Sequence, residues 1–205
     1  MATAKAAGGK ASGAAPPRLT FKPVGKATRA DLIEVFEGRG GPSYCWCMAW
    51  RITKDEAKAA PDGPARKPLL LGRIDRRVPT GLIGYHDGAP VAWISVAPKA
   101  TFNGKLGGPE PADGQKVWSL TCMYMRRTLR GRGLGHSMIA AAIAHARRKG
   151  ATILEAYPVA PSSPSYRFMG FVPAFAAAGF TEVGAEGSRR HVMQLTLPTV
   201  KRAKS

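Results

Sequence analysis

Alternating and periodic apolar positions divide this chain into short strands and amphipathic helices. Strands are predicted over residues 18–24, 81–85, 90–98, 117–125, 151–159, 179–183 and 191–197. Helices are predicted over 28–36, 134–149 and about 166–178, with one or two short helices between 52 and 77. The Asp87-Gly88 pair between two of the strands predicts a tight hairpin turn. The length of 205 residues suits a single domain with a sizeable core and short extensions.

One strand–turn–helix segment, residues 117–150, carries the clearest chemical signal. An apolar run from Val117 to Met125 is followed by a basic, glycine-rich turn and then by a helical pattern that stops at Gly150. The free N–H groups and the positive dipole end of a helix N-terminus attract anions. Glycines, which have no Cβ atom, let a phosphate come close to the backbone. The segment therefore predicts a phosphate-binding site.

The spacing of the glycines excludes two common nucleotide-binding loops. A Walker A loop requires GxxxxGK[ST], but His136 stands where its second glycine is needed after Gly131. A Rossmann GxGxxG fingerprint fails because neither possible register has a glycine at its last position. The pattern that fits is Arg-x-x-Gly-x-Gly at Arg130, Gly133 and Gly135. A glycine-rich turn that binds no ligand is the alternative interpretation.

The Arg130-x-x-Gly133-x-Gly135 pattern resembles the coenzyme A pyrophosphate loop of the GCN5-related N-acetyltransferases. The order of predicted elements, β-α-α-β-β-β-α-β-α-β-β, is similar to that of this family over about residues 18–198. The resemblance implies an α/β (α+β) fold with one domain. Its mixed central sheet would have about seven strands, flanked by helices, with the central strands splayed to form a cofactor slot.

Four further motifs resemble one branch of the family, known mainly from uncharacterised members. They are Cys45-Trp46-Cys47 with Trp50-Arg51, Asp87-Gly88-x-Pro90-Val91-x-Trp93, Glu155-Ala156-Tyr157-Pro158, and Phe168-x-Gly170 with Phe175 and Ala178-Gly179-Phe180. Their order and spacing support the resemblance, but they do not indicate the substrate.

The resemblance implies direct acetyl transfer from acetyl-CoA to an amine in a ternary complex. The backbone N–H groups between Gly131 and His136 would hold the pyrophosphate, and Arg130 and Arg132 would add charge. The pantetheine arm would pair with the backbone of the fourth strand. The expected cofactor-binding residues are Met123, Met125, Arg130, Gly131, Arg132, Gly133, Leu134, Gly135 and His136. The side chains of the two methionines are expected to fill the core.

Three groups are candidates for the transfer chemistry. A backbone N–H near Met125 would bind the developing oxyanion by resemblance. Glu155 is the only acidic residue on the predicted central strands, so it is either a general base or a carboxylate paired with an arginine. In many family members a tyrosine acts as the general acid for the leaving thiolate, and the corresponding position in this chain is Phe168. Tyr166, two residues earlier, is the candidate general acid instead.

The segment 43–51 is unusually rich in tryptophan and cysteine. We expect the cysteines and tryptophans to pack at the rim of the substrate cleft, with Tyr44 and Trp46 touching the acceptor. A reactive thiol near the acetyl group is the alternative. A C-x-C pair supplies two of the roughly four ligands that zinc needs, and the histidines show no paired spacing, so no metal is expected. Cys122 lies on a buried strand and is expected in the core.

The charge is strongly basic, with 31 Lys+Arg, 13 Asp+Glu and a formal net charge of +18. Residues 1–17 and 199–205 are expected to form basic tails, the first of them disordered. Such tails favour weak, nonspecific binding to nucleic acid. Three cysteines, no apolar leader and no membrane-length apolar run predict a cytoplasmic protein without membrane association.

Two other functions stay open at this point. The fold could serve as a nucleic-acid-associated binding module, although no exposed aromatics interleave with Arg or Lys to stack bases. It could also bind acyl-CoA as a sensor without catalysis, which Phe168 at the usual acid position favours. The acceptor amine is not indicated, and a homodimer is possible because family members are often dimers.

Overall fold

The computed structural model describes residues 18–198, and the predicted basic tails at 1–17 and 199–205 lie outside this range. The strands are β1 (Thr20–Pro23), β2 (Leu82–His86), β3 (Ala89–Pro98), β4 (Val117–Met125), β5 (Ile153–Ala156), β6 (Thr181–Glu186) and β7 (Arg190–Thr196). The helices are α1 (Arg29–Glu37), α2 (Lys54–Ala59), α3 (Gly63–Asp75), α4 (Gly135–Arg148) and α5 (Val172–Ala177). Within 18–198, no helix is long and apolar enough to cross a membrane.

The seven strands form one mixed sheet in the order β1-β2-β3-β4-β5-β7-β6. All neighbours are antiparallel except β4 and β5, which run parallel. These two strands pair only from Val117–Leu120 to Ile153–Ala156. Strand β4 then continues to Met125 without its neighbour, so the centre of the sheet opens into a V. The predicted single α+β domain with seven strands is confirmed.

A β-bulge in β4 lies directly beyond the point where the V begins. The β3–β4 register passes from Ser95 opposite Cys122 to Val96 opposite Leu120, which leaves Thr121 as the extra residue. The Thr121 hydroxyl donates to Ser95 Oγ over 2.9 Å, and the buried Arg51 guanidinium donates to the same oxygen over 3.0 Å. This buried polar contact fixes the segment 43–51 against the bulge.

Two apolar cores cover the two faces of the sheet. On one face, α4 and α5 pack on side chains such as Leu82, Ile94 and Leu120. On the other face, α1, α3 and the segment 46–48 pack on Ile83, Trp93 and their neighbours. Adjacent residues such as Leu82 and Ile83 enter different cores because side chains alternate along a strand.

Most predicted elements are present, with shifted ends. Asp87 and Gly88 both have positive φ (48° and 79°), as the predicted hairpin turn requires. The region 52–77 holds two helices, and β5 is shorter than the predicted strand 151–159.

The helix predicted over 166–178 is present only in its second half, as α5. The chain instead forms a 3-10 turn at Arg167–Met169, reverses at Gly170 (φ 87°), and begins α5 only at Val172. Pro173 lies in the first turn of α5, where its missing N–H costs nothing.

Candidate functional site

A cavity of about 720 Å³ occupies the V between β4 and the elements that follow β5. Its wall is formed by the free edge of β4, the glycine-rich loop, the start of α4, the 3-10 turn with α5, and the segment 40–44. The lining residues are Gly40, Pro42, Tyr44, Cys122, Met123, Tyr124, Met125, Leu129, Arg130, Gly131, Gly133, Leu134, Gly135, His136, Met138, Ile139, Arg167, Phe168, Gly170, Phe171 and Ala174.

The free edge of β4 presents backbone groups to this cavity. The Arg126 N–H donates to Val91 O on β3 over 2.9 Å, so it points away from the V. Because N–H directions alternate along a strand, the N–H groups of Met123 and Met125 point into the V. These are the two residues whose backbones we expected to pair with the pantetheine arm. Met123 is half-buried and Met125 is buried, and both side chains pack with the α4 core.

The glycine-rich loop closes one end of the cavity. Gly131 and Gly133 have φ values of 75° and 74°, and no described atom lies within 4 Å of where a Cβ would stand on either. The loop leads into α4 at Gly135, whose first N–H groups have no partner within the helix. The Arg130 Nε–H donates to Met125 O over 2.8 Å, which holds this arginine over the strand edge. Phosphate oxygens fit this open, donor-rich turn.

The cavity has a positive electrostatic character. Among its lining residues, Arg130 and Arg167 are cationic, and none of the described lining residues is Asp or Glu. A cavity without carboxylates favours an anionic ligand such as a diphosphate. Of the nine predicted cofactor residues, only Arg132, which is exposed, is not in the lining.

Glu155 is not brought to this cavity. Its carboxylate is fully buried and accepts hydrogen bonds from the Tyr157 hydroxyl and from Gln194 Nε2 (2.7 Å). Lys99 Nζ lies 2.8 Å from the same carboxylate. Burial and the carboxylate raise the pKa of the Tyr157 hydroxyl, which therefore stays a donor. These contacts favour the second of the two roles considered for Glu155, a carboxylate in an ion pair, but its partner is a lysine and not the expected arginine.

Tyr166 lies beside the cavity and does not line it. It has a left-handed backbone (φ 58°), and its ring centroid lies 6.2 Å from those of both Trp50 and Phe168. Phe168 does line the cavity. Of these two rings, the one that lines the cavity therefore has no proton to donate.

Tyr44 and Trp46 point in different directions. Tyr44 is 70% exposed and lines the cavity. Trp46 is only 2% exposed and stacks on Phe36 at a centroid distance of 4.9 Å, so it cannot touch an acceptor in the cavity. The prediction that Trp46 contacts the acceptor is therefore wrong, because its ring is buried. The ring fills the core under α1.

The cysteines of the same segment were predicted at the rim of the substrate cleft, but neither Cys45, which is half-buried, nor Cys47 lines the cavity. Cys47 is buried and accepts a hydrogen bond from Trp93 Nε1 over 2.9 Å. Neighbouring thiols and burial raise the pKa values of both Cys45 and Cys47, so neither forms a thiolate readily. Cys122 is buried in β4, yet its surface lines the cavity. Within 18–198, no three His, Cys, Asp or Glu residues form a group that could hold a metal ion.

The lining contains residues to which the sequence assigned no role, chiefly Arg167, Phe168, Gly170 and Phe171. The Phe168-x-Gly170 motif pointed to this region, but a continuous helix was predicted where the chain forms a turn, so its place in the cavity wall was missed. Gly170 approaches β4 so closely that a Cβ would lie 2.8 Å from Met123 Cε. A second cavity of about 600 Å³ lies at the other end of β4, beside Lys99, Gly108 and Trp118. It shares no residue with the first.

An open V in a mixed sheet, with a glycine-rich turn and a helix N-terminus at one end, suits a transferase that binds a coenzyme A thioester. Residues 46–171 match the model of the Acetyltransferase (GNAT) family. The chain therefore belongs to this family, whose acyl donor and co-substrate is acetyl-CoA. The open glycine turn and the carboxylate-free cavity fit that co-substrate.

Solved structures show the same fold at low sequence identity. An uncharacterised protein from Bacillus halodurans has a TM-score of 0.57 and 15% identity, with 87% of this chain and 83% of that chain covered. A ribosomal-protein-alanine N-acetyltransferase from Brucella melitensis has a TM-score of 0.51 and 20% identity, with 87% and 99% covered. An N-acetyltransferase from Staphylococcus aureus Mu50 has a TM-score of 0.51 and 12% identity, with 88% and 99% covered. No curated protein matches the chain in sequence.

Proposed function

We propose that the protein transfers the acetyl group of acetyl-CoA to an amine by direct attack in a ternary complex. The observation that supports this most strongly is the continuous path from the Gly131–His136 turn to the free N–H groups of Met123 and Met125. The turn would bind the pyrophosphate, and the strand edge would pair with the amide groups of the pantetheine arm. A backbone N–H near Met125 would also stabilise the oxyanion.

The attacking amine must be neutral, and the cavity offers little help in deprotonating it. Within 18–198 no carboxylate lines the cavity, and Glu155 is fully buried in an ion pair with Lys99. We therefore propose that the amine loses its proton to water. Turnover should then rise with pH along with the free-amine fraction of the acceptor. For the leaving thiolate, Tyr166 stays a proposed acid, and its replacement by Phe tests that role.

Calorimetric titration with acetyl-CoA tests the proposal. The variant Gly133→Glu places a carboxylate where the pyrophosphate would lie, and we expect it to abolish binding. Gly114→Glu is a matched control, because Gly114 has a similar φ of 79° and open space but lies away from the cavity. Binding by the parent and the control, with none by Gly133→Glu, supports the cofactor site. A folded parent that binds no acetyl-CoA would overturn the proposal.

A charge-driven nucleic-acid module is the second candidate function, because the net charge is +18. The predicted tail at residues 1–17 would supply part of its affinity. Deleting these residues should then weaken salt-sensitive binding to any DNA. Unchanged binding after the deletion would remove the tail from this function.

A further inference from the structure

Three exposed aromatic rings lie together near the mouth of the cavity. Within 18–198 only four large apolar side chains are exposed: Tyr44 (70%), Val183 (45%), Tyr166 (37%) and Phe168 (37%). Tyr44 and Phe168 line the cavity, and Tyr166 packs edge-to-face on Phe168. We call Tyr44, Tyr166 and Phe168 the aromatic shelf. Exposed apolar rings that cluster at a cavity mark a binding surface.

The shelf lies at the end of the cavity away from the phosphate-binding turn. Arg130 ties that turn to Met125, whereas the Tyr44 hydroxyl, whose pKa is raised first by burial, is close enough to Cys122, three residues earlier on β4, for that thiol to raise it further. At a rise of about 3.3 Å per residue, these two points of the strand are roughly 10 Å apart. Phe168 precedes Gly170, which packs on Met123 between them. The shelf therefore borders the end of the cavity opposite the phosphate-binding turn, toward which the pantetheine arm would extend along the edge of β4.

The surroundings of the shelf are cationic. Arg167 is exposed, lines the cavity and lies over the Phe171 ring at 4.7 Å. Arg189 is exposed next to the shelf, and its Nη1 donates to Ser165 Oγ over 2.8 Å. A carboxylate at this position would meet positive charge, while a second ammonium group would be repelled.

Arg190 has a different task from these two arginines. It is buried, with its guanidinium 4.7 Å from the Trp50 ring and 5.7 Å from the Tyr166 ring. Its nitrogens donate to the carbonyl oxygens of Leu106 (3.1 Å) and Lys105 (3.0 Å), and Glu186 lies 4.0 Å away. These contacts keep the Arg190 guanidinium inside the protein, beside the Trp50 and Tyr166 rings. Arg167 and Arg189 are the exposed cations around the shelf, although Arg167 Nη1 also donates to the carbonyl oxygens of Pro161 (2.8 Å) and Ser163 (3.0 Å).

We propose that the shelf and its exposed arginines bind an acceptor that carries both an aromatic ring and a carboxylate. A small aromatic amino acid is the simplest member of this class. Its ring would pack on Tyr166 and Phe168, and its carboxylate would pair with Arg189 or Arg167. This inference rests on the proposed acetyltransferase function. In the reaction a bond forms between the amine nitrogen and the acetyl carbon, the carbon–sulfur bond breaks, and coenzyme A leaves as the thiol with the amine's proton.

The experiment compares matched acceptors in an assay of coenzyme A release. L-phenylalanine carries the ring and the carboxylate, phenethylamine lacks the carboxylate, L-alanine lacks the ring, and spermidine carries additional ammonium groups. We expect kcat/KM for phenylalanine to exceed that for each of the other acceptors by at least about tenfold. A tenfold change corresponds to about 1.4 kcal/mol, which is the size of contribution expected from one charge-assisted hydrogen bond or one packed ring. An equal or higher value for spermidine or phenethylamine would overturn the inference.

Variants then test the individual residues. Arg189→Ala should remove most of the preference for phenylalanine over phenethylamine. Tyr166→Ala should raise KM for phenylalanine at least about fivefold, while Tyr166→Phe keeps the ring and should leave KM unchanged. Val183→Ala, which removes the exposed apolar side chain outside the shelf, should change neither quantity. The dissociation constant of acetyl-CoA should stay unchanged in all four variants.

The outcomes separate this inference from the proposed function. If the parent does not bind acetyl-CoA, the acetyltransferase proposal fails. If it binds acetyl-CoA but neither acetylates phenylalanine nor binds it in the presence of coenzyme A, only the acceptor assignment is overturned. Equal effects of Arg189→Ala on both ring-bearing acceptors would also overturn the assignment.

Discussion

His145 should make the stability of the fold depend on pH. It lies in α4, is only 4% exposed, and packs edge-to-face on Trp118 at a centroid distance of 5.5 Å. Burial, with smaller contributions from Arg148 and Lys149, lowers the pKa of His145 from its ordinary 6.5 to about 4. The unfolded chain therefore binds this proton more tightly than the folded one.

The sign and size of the effect follow from these two pKa values. The stabilisation by neutral His145 is fully present above pH 6.5 and is lost as the pH falls toward 4. Between pH 7.5 and pH 5 the free energy of unfolding should fall by about 2 kcal/mol through this residue alone.

Urea denaturation at a series of pH values measures this loss. His145→Gln cannot titrate, so the fall in its free energy of unfolding between pH 7.5 and pH 5 should be about 2 kcal/mol smaller than that of the parent. His136→Gln is the matched control, because His136 is exposed on the same helix. Identical slopes for the parent and His145→Gln would refute the reasoning.

Other predictions concern strain, buried charge and thiol chemistry. Gly170→Ala should lower the free energy of unfolding, measured with urea, by about 1–3 kcal/mol, because φ is 87° and the new Cβ would lie 2.7 Å from a packed ring. Gly179→Ala is the control and should cost less, because φ is similar (89°) but the nearest atom is 3.6 Å away. Equal losses in the two variants would contradict this reasoning. Lys99→Met leaves the buried Glu155 without its cationic partner and should cost about 3–5 kcal/mol, part of which Lys99→Met/Glu155→Gln should restore. Because its pKa is raised, Cys47 should resist iodoacetamide at pH 8 until the protein unfolds, and rapid labelling detected by mass spectrometry would contradict the buried assignment.

The parts that could be predicted are those with local signals. The run Val117–Met125 is apolar because both faces of β4 are covered, and the helix after it carries its own periodicity. The glycine-rich turn between β4 and α4 could therefore be predicted from the Arg130–Gly135 spacing without tertiary information. The Asp87-Gly88 turn is equally local.

The errors arose where tertiary contacts decide the structure. The helix predicted over 166–178 is interrupted at Gly170, which must reverse the chain to pack against β4. The sequence does not show that Glu155 meets Lys99, which lies on a distant connection. Tyr44 and Trp46 are both aromatic and only two residues apart, so the sequence does not show that Trp46 is buried against Phe36 while Tyr44 is exposed.

The short pairing of β4 with β5 makes the sheet two half-sheets joined by a narrow seam. Four residues of each strand, Val117–Leu120 and Ile153–Ala156, connect them, with a 3.0 Å hydroxyl contact between Ser119 and Tyr157 at its end. Beyond the seam, the amides of Met123 and Met125 have no strand partner, so they should exchange hydrogen with solvent rapidly. A ligand that pairs with this edge acts as an added strand. Slowed deuterium uptake at these two amides would then report occupancy of the slot directly, even when no acceptor is present.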